Sequence, residues 1–261
     1  MIRWYSKTIG NPSYPVIVFL HGFMGSHHDW LPVCQRLSTE FRCLILDLPG
    51  HGRTRAALAS DYTMSSTANS LIEYLESKKI NRSILVGYSM GGRLALYLTV
   101  QYPQFFQKVV LESASPGLEN KQERVFRQKH DQQLAEELSR IPAEEFLEKW
   151  YSAPLFATLR NHPRFDSLIA NRLKHKNANW PASLRGMGVG EQRSLWDKVK
   201  QIAVPVLVLA GEKDEKYRYI SLKMKEYNPR ISLSFVPECG HNIHFEDEER
   251  FYLELIKFVK S

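Results

Sequence analysis

Short apolar runs, many of them β-branched, recur along the chain and are separated by longer stretches with a helical period. Residues 16–20, 43–46, 83–86, 109–111 and 204–209 are apolar almost without interruption, and 231–236 alternates more. A strand with one face in water would alternate. Continuous apolar strands with helices between them therefore predict an α/β fold, with a mostly parallel sheet covered by helices on both faces. The helical stretches are 61–78, which Asp61 or Thr63 would cap, then 91–101 and 246–259.

The rhythm breaks between about 115 and 200. That stretch is rich in Glu, Gln, Lys and Arg, carries helical patterns over 123–138 and 143–150, and is punctuated by Pro142, Pro154, Pro163 and Pro181. The pattern predicts a core made of 1–114 and 201–261, with 115–200 inserted as a helical cap. Such a cap would lie over the edge of the sheet where ligands bind in open α/β folds.

At 261 residues the chain can bury one sizeable core. Lys and Arg number 35 against 28 Asp and Glu, a formal net charge of +7. The basic residues are scattered and form no block, which argues against a nucleic-acid partner; a modest excess suits a small polyanion. Cys34, Cys43 and Cys239 are odd in number, widely spaced and without CxxC, which argues against a disulfide framework or a zinc site. The apolar runs are too short to cross a bilayer, and the start of the chain has no leader-like stretch. The expectation is a cytoplasmic protein without membrane insertion, a monomer or weak homo-oligomer.

Residues 84–93, Ile-Leu-Val-Gly-Tyr-Ser-Met-Gly-Gly-Arg, carry the most chemistry. An apolar strand runs into G-x-S-x-G and a helix follows, which is the setting of a nucleophile turn. Ser89 needs a base to take its proton. His241, just after the last strand, is the first candidate and His244 the second. For the acid that orients the histidine, Asp214 on the loop after 204–209 is preferred over Glu212 and Glu112. Asp47 has the wrong chain position and reads as structural. An anion hole would use the backbone N–H of Met90, next to the serine, and of Phe23 in the His-Gly-Phe-Met-Gly loop after the first apolar strand.

The order Ser89, Asp214, His241, with HGFMGS, LDLPGHGRT, GYSMGGR, AGEKD and CGHNIHFE in sequence, resembles the α/β-hydrolase superfamily from Val16 onward. More closely, the chain resembles the 2-succinyl-6-hydroxy-2,4-cyclohexadiene-1-carboxylate synthase family of menaquinone and phylloquinone biosynthesis. The resemblance rests on Arg93 after the serine motif, on Ser115-Pro116-Gly117-Leu118 followed by Arg124 and Arg127, and on Trp150-Tyr151 ahead of Pro154. It implies a pyruvate-releasing carbon–oxygen lyase with a small polycarboxylate substrate and no metal or organic cofactor. It also implies a pocket that includes Tyr88, Arg93, Arg124, Trp150, Tyr151 and Arg172. Where the family often has a glutamine soon after SPGL, this chain has Glu119, so no contact is assigned there. The rival readings are a carboxylesterase or C–C bond hydrolase with the same triad and, more remotely, a non-catalytic small-molecule binding protein.

Overall fold

All six apolar runs form strands of one seven-stranded sheet in the computed structural model, which describes residues 1–261. The strands are β1 (Ser6–Ile9), β2 (Val16–Leu20), β3 (Arg42–Leu46), β4 (Ser83–Tyr88), β5 (Phe106–Glu112), β6 (Val206–Gly211) and β7 (Ser232–Val236). Their spatial order is β1-β3-β2-β4-β5-β6-β7. Only β1 runs antiparallel to its neighbour. The pattern missed β1 because its four residues, Ser-Lys-Thr-Ile, form an edge with none of them fully buried. β6 begins after Pro205, which has no N–H to give the ladder.

The helices are α1 (Leu31–Leu37), α2 (Met64–Ser77), α3 (Met90–Gln101), α4 (Lys121–Leu138), α5 (Ala143–Tyr151), α6 (Ala157–Arg160), α7 (Phe165–Lys174), α8 (Trp180–Met187), α9 (Trp196–Val199), α10 (Glu215–Tyr227), α11 (Ile243–Glu246) and α12 (Glu248–Lys260). Thr63 caps α2 by accepting from the Ser66 amide, whereas Asp61 accepts from Ala57 and Leu58 ahead of a short 3-10 turn. The expected 246–259 helix is α12, which starts two residues later at Glu248: Asp247 ends the short α11 and caps α12 at the Arg250 amide. No helix is long and apolar enough to cross a membrane.

The side chains of β2 explain the layers. Val18 and Leu20 join a core with Leu71, Leu75, Leu94 and Leu98 of α2 and α3. Ile17 and Phe19 point the other way, towards Val33 and Leu37 of α1 and Phe251 and Leu255 of α12. Both faces are dry, which is why the run shows no alternation. Between β5 and β6 the chain passes through α4–α9 without a strand. Phe146, Leu147, Tyr151, Leu159, Leu168 and Trp180 from this stretch build a third apolar cluster, which takes in Met24 from the loop after β2. Its trailing part turns back: Met187, Leu195, Trp196 and Val199 pack into the sheet core with α2 and α3.

Candidate active site

β4 is buried along its whole length and ends one residue before Ser89. Ser89 has φ +49°, a left-handed conformation that side-chain-bearing residues adopt at a cost. The turn is tight: a Cβ on Gly87 would lie 2.5 Å from the Gly91 carbonyl oxygen, and one on Gly91 would run into the carbonyl of Leu20. Only glycine fits at either place. Ser89 stands at the cap position of α3, yet its hydroxyl makes no capping bond. It bonds instead to His241.

The His241 ring is held on both sides. Nε2 lies 3.0 Å from Ser89 Oγ, and Nδ1 lies 2.7 Å from Asp214 Oδ2. Asp214 follows β6, and its other oxygen caps α10 by accepting from the Tyr217 amide at 3.1 Å. His241 and Asp214 are buried, and Ser89 is half-buried. Tyr88, Phe156 and Tyr217 frame the imidazole at ring-centroid distances of 4.6–5.8 Å.

The other candidates have different partners. His244 and Glu112 pair with each other: the carboxylate accepts from His244 Nδ1 at 2.7 Å and from its backbone amide at 3.0 Å, both groups being buried. Neither bonds Ser89. Glu212 is exposed. Asp47 accepts from the His27 amide, the His27 ring and the Arg53 amide, and so ties together the loops after β2 and β3.

Phe23 lies in the loop after β2, and its N–H has no partner within the protein. Met90 opens α3, and its N–H has no preceding turn to accept it. Two buried imidazoles shape the Phe23 loop. His21 Nε2 accepts from the Leu48 amide, and His51 Nε2 accepts from the Met24 amide, each at 3.0 Å. Burial lowers the pKa of both rings, which keeps these acceptor nitrogens unprotonated.

Ser89, Met90, Phe23 and His241 open onto a cavity of about 400 Å³ beneath α4, α5 and α8. Its apolar wall includes Leu134, Phe146, Trp150, Phe156 and Met187, and Trp150 lies 5.2 Å from the Phe23 ring. Its polar wall carries Arg93, Arg127, Lys149, Lys216 and His130, with no Asp or Glu side chain. Arg93 is the unusual member. It is buried, and its guanidinium donates only to neutral acceptors: Met187 O at 2.7 Å, Gln192 Oε1 at 3.1 Å and Gly188 O at 3.5 Å. Burial pushes its pKa down to about 10, so it is charged at neutral pH and has no counter-ion. Arg127 is paired with Asp131 at 2.7 Å and Lys149 with Glu137 at 2.5 Å, both acids lying outside the cavity lining. Lys216 is an exposed residue that makes no ion pair; partial desolvation, then Arg127, lowers its pKa.

Of the residues expected in a pocket, Phe23, Met90, Arg93 and Trp150 line this cavity, and Tyr88, Arg124, Tyr151 and Arg172 do not. Tyr88 is packed behind the His241 and His244 rings. Arg124 sits one turn ahead of Arg127 on α4 and misses the cavity that Arg127 reaches. Arg172 is consumed internally: it pairs with Asp29 at 2.6 Å and donates to the Tyr151 hydroxyl at 3.3 Å. Burial alone would lower the Arg172 pKa, but Asp29 outweighs it and raises it. Lys149, Lys216 and His130 carried no sequence signal, because a cation on an amphipathic helix looks the same whether it faces water or a cavity.

The α/β-hydrolase fold family model matches residues 15–248. The chain is 34% identical over 264 residues to the putative 2-succinyl-6-hydroxy-2,4-cyclohexadiene-1-carboxylate synthase of Bacillus subtilis, covering 100% of this chain and 96% of that protein. It is 34% identical over 265 residues to the chloroplastic protein PHYLLO of Arabidopsis thaliana; that match takes in 95% of this chain but only 16% of the much longer plant protein. Among solved structures, MenH from S. aureus superposes with a TM-score of 0.92 at 30% identity, covering 99% of this chain and 97% of that one. The chain belongs to the α/β-hydrolase fold family and, within it, to the family of 2-succinyl-6-hydroxy-2,4-cyclohexadiene-1-carboxylate synthases.

Proposed function

We propose that this protein eliminates pyruvate from 2-succinyl-5-enolpyruvyl-6-hydroxy-3-cyclohexene-1-carboxylate to give 2-succinyl-6-hydroxy-2,4-cyclohexadiene-1-carboxylate. The observation that carries the reading is Arg93: a buried guanidinium without a counter-ion, in a cavity that Lys216 also lines without an acidic partner, while Arg127 and Lys149 are paired with acids outside it. Such a site is left short of negative charge, and a substrate with three carboxylates supplies it. A guanidinium holds a carboxylate through two parallel bonds, which suits orientation as well as charge. The names of the related proteins support the same reading.

In this reading Ser89, His241 and Asp214 are the catalytic residues. His241, oriented by Asp214, takes the Ser89 proton, and Ser89 Oγ removes the proton alpha to the succinyl ketone. The enolate oxygen rests against the Phe23 and Met90 N–H groups. Electrons then flow back from the enolate, a ring double bond forms, and the carbon–oxygen bond to the enolpyruvyl group breaks. The departing oxygen keeps the electron pair, and the enolate so released takes the proton held by His241 and tautomerises to pyruvate, which returns His241 to its neutral form. The serine serves as a base and no acyl-enzyme forms, so the triad geometry does proton-transfer work. The division into a core (1–114, 201–261) and a cap (115–200) belongs to this reading, with α4, α5 and α8 supplying the roof of the pocket.

The test is a coupled pyruvate-release assay on substrate generated in situ, with p-nitrophenyl acetate hydrolysed in parallel. Release well above the spontaneous rate with feeble ester cleavage is expected. Fast ester cleavage with no release above background would make the protein a hydrolase and leave Arg93 without a carboxylate to hold.

A further inference from the structure

His241 belongs to a stretch with little structure of its own. It lies beyond the end of β7, past Glu238 at φ +63° and directly after Gly240. A Cβ at Gly240 would meet the Thr158 hydroxyl on α6, so a larger residue beside the catalytic imidazole would have to push that side chain aside. Glycine is also the residue that least restricts its own backbone. The residue next to His241 therefore does little by itself to fix the segment whose placement matters most.

One side chain restores the definition. The Glu246 carboxylate accepts from the Gly240 amide through Oε2 at 2.8 Å and from the Asn242 amide through Oε1 at 3.1 Å. These are the two peptide N–H groups on either side of His241. Glu246 can reach both because α11 folds straight back, with the Glu246 amide bonded to the Asn242 carbonyl at 2.9 Å. Farther away, the Cys239 carbonyl accepts from the Lys213 amide at 2.9 Å and ties the segment to the loop that bears Asp214.

We propose that Glu246 is a positioning residue for the chemistry at Ser89: its carboxylate grips the two amides that flank His241 and holds the imidazole in register between Asp214 and Ser89. The inference rests on the proposed triad but not on the identity of the substrate. A carboxylate suits the task because it offers two acceptor oxygens in one plane and no donor. Glutamine has the same shape but would turn an N–H₂ group towards one of the two amides. Aspartate keeps the charge and reaches less far.

Misplacement of a reacting group by about 1 Å can cost roughly 10²-fold in rate. Glu246→Gln is therefore expected to lower kcat for pyruvate release about ten- to a hundredfold, with KM within about twofold of the parent protein. Labelling of Ser89 by a fluorophosphonate should slow in proportion. The low-field proton resonance of the His241 Nδ1–H···Asp214 bond should shift or broaden. Glu246→Asp should fall between the parent and the glutamine variant, and it serves as the test if the glutamine variant does not fold. A folded Glu246→Gln protein with unchanged kcat, labelling rate and resonance would overturn the proposal, and so would a rise in KM alone. If the parent labels at Ser89 but releases no pyruvate, the substrate reading fails, and the labelling comparison still decides the role of Glu246.

Discussion

Two residues decide whether the site works as proposed, and each makes a separate demand. Ser89→Ala removes the only group that touches both His241 Nε2 and the cavity. Turnover should drop by roughly 10³-fold or more, while substrate still binds, since none of the cations is altered. Calorimetric binding to the inactive variant checks the second half; near-full activity would remove Ser89 from the mechanism. Arg93→Met takes away the one buried cation without a counter-ion. The loss of a buried, charge-assisted contact costs about 2–5 kcal/mol of transition-state binding, which would appear in kcat/KM. Stability should move far less, because the substitution leaves three acceptors unbonded but also removes a guanidinium that burial disfavours. An unchanged kcat/KM would mean that Arg93 serves the Met187–Gln192 loop alone. At this scale the sequence was most informative where the chemistry is local. Ser89, Asp214 and His241 each follow a strand end, so chain position alone brings them to one edge of the sheet. Arg172 and Tyr151 were not legible in that way, because their fate depends on Asp29, more than a hundred positions earlier in the chain.

Helices and loops set the next level, and Asp131 on α4 shows how. Its Oδ1 accepts from Arg127 Nε at 2.7 Å, and its Oδ2 accepts from the Gly190 amide at 3.1 Å. The carbonyls of Met187 and Gly188, just ahead of Gly190, hold Arg93. One buried carboxylate thus fixes an arginine on α4 and the loop that fixes an arginine on α3. Gly188 and Gly190 allow the close approach, since a Cβ on either would press on Asp131 or on the α4 backbone. Asp131→Asn can satisfy only one of the two donors. We expect KM to rise about tenfold or more with a smaller change in kcat, and the fold to lose about 1–3 kcal/mol from the unpaired buried group. Steady-state kinetics and urea unfolding measure the two; a loss confined to kcat would show that this loop does not hold the binding groups. The elements were legible where both faces are buried, as in β2 and β4, or where a cap is explicit, as at Thr63. They were not legible at β1, whose Ser-Lys-Thr-Ile carries too little apolar surface to signal a strand. The break between α11 and α12 is not legible either, because Asp247 lies inside a run that otherwise keeps its helical period.

For the molecule as a whole, the buried histidines couple the loops of the site to pH. Burial lowers the pKa of His21 and His51, which hold the loops after β2 and β3 through their neutral nitrogens. Burial, together with the neighbouring imidazoles of His27 and His175, takes His28 down to about 4; burial and Lys174 lower His175 as well. In the unfolded chain all four would take up a proton below about pH 6.5. The unfolded state then binds more protons than the folded one, so the stability these groups contribute is complete above that pH and is lost as the pH falls towards their folded values. Asp29 and Asp47 act in a lower window. Burial would raise both, but Arg172 on Asp29 and the His27 bonds on Asp47 outweigh it and hold them below the usual carboxylate value, so their contribution is lost only below about pH 4. The urea midpoint should therefore already fall between pH 7.5 and pH 5, before the carboxylates titrate. His51→Gln, which removes one ring that must stay neutral, should make that decline shallower. A midpoint that is flat down to pH 5 would mean that these imidazoles are protonated within the fold. In that case they could not accept the Leu48 and Met24 amides, and the loop that presents the Phe23 N–H to the cavity would have to be held by something else.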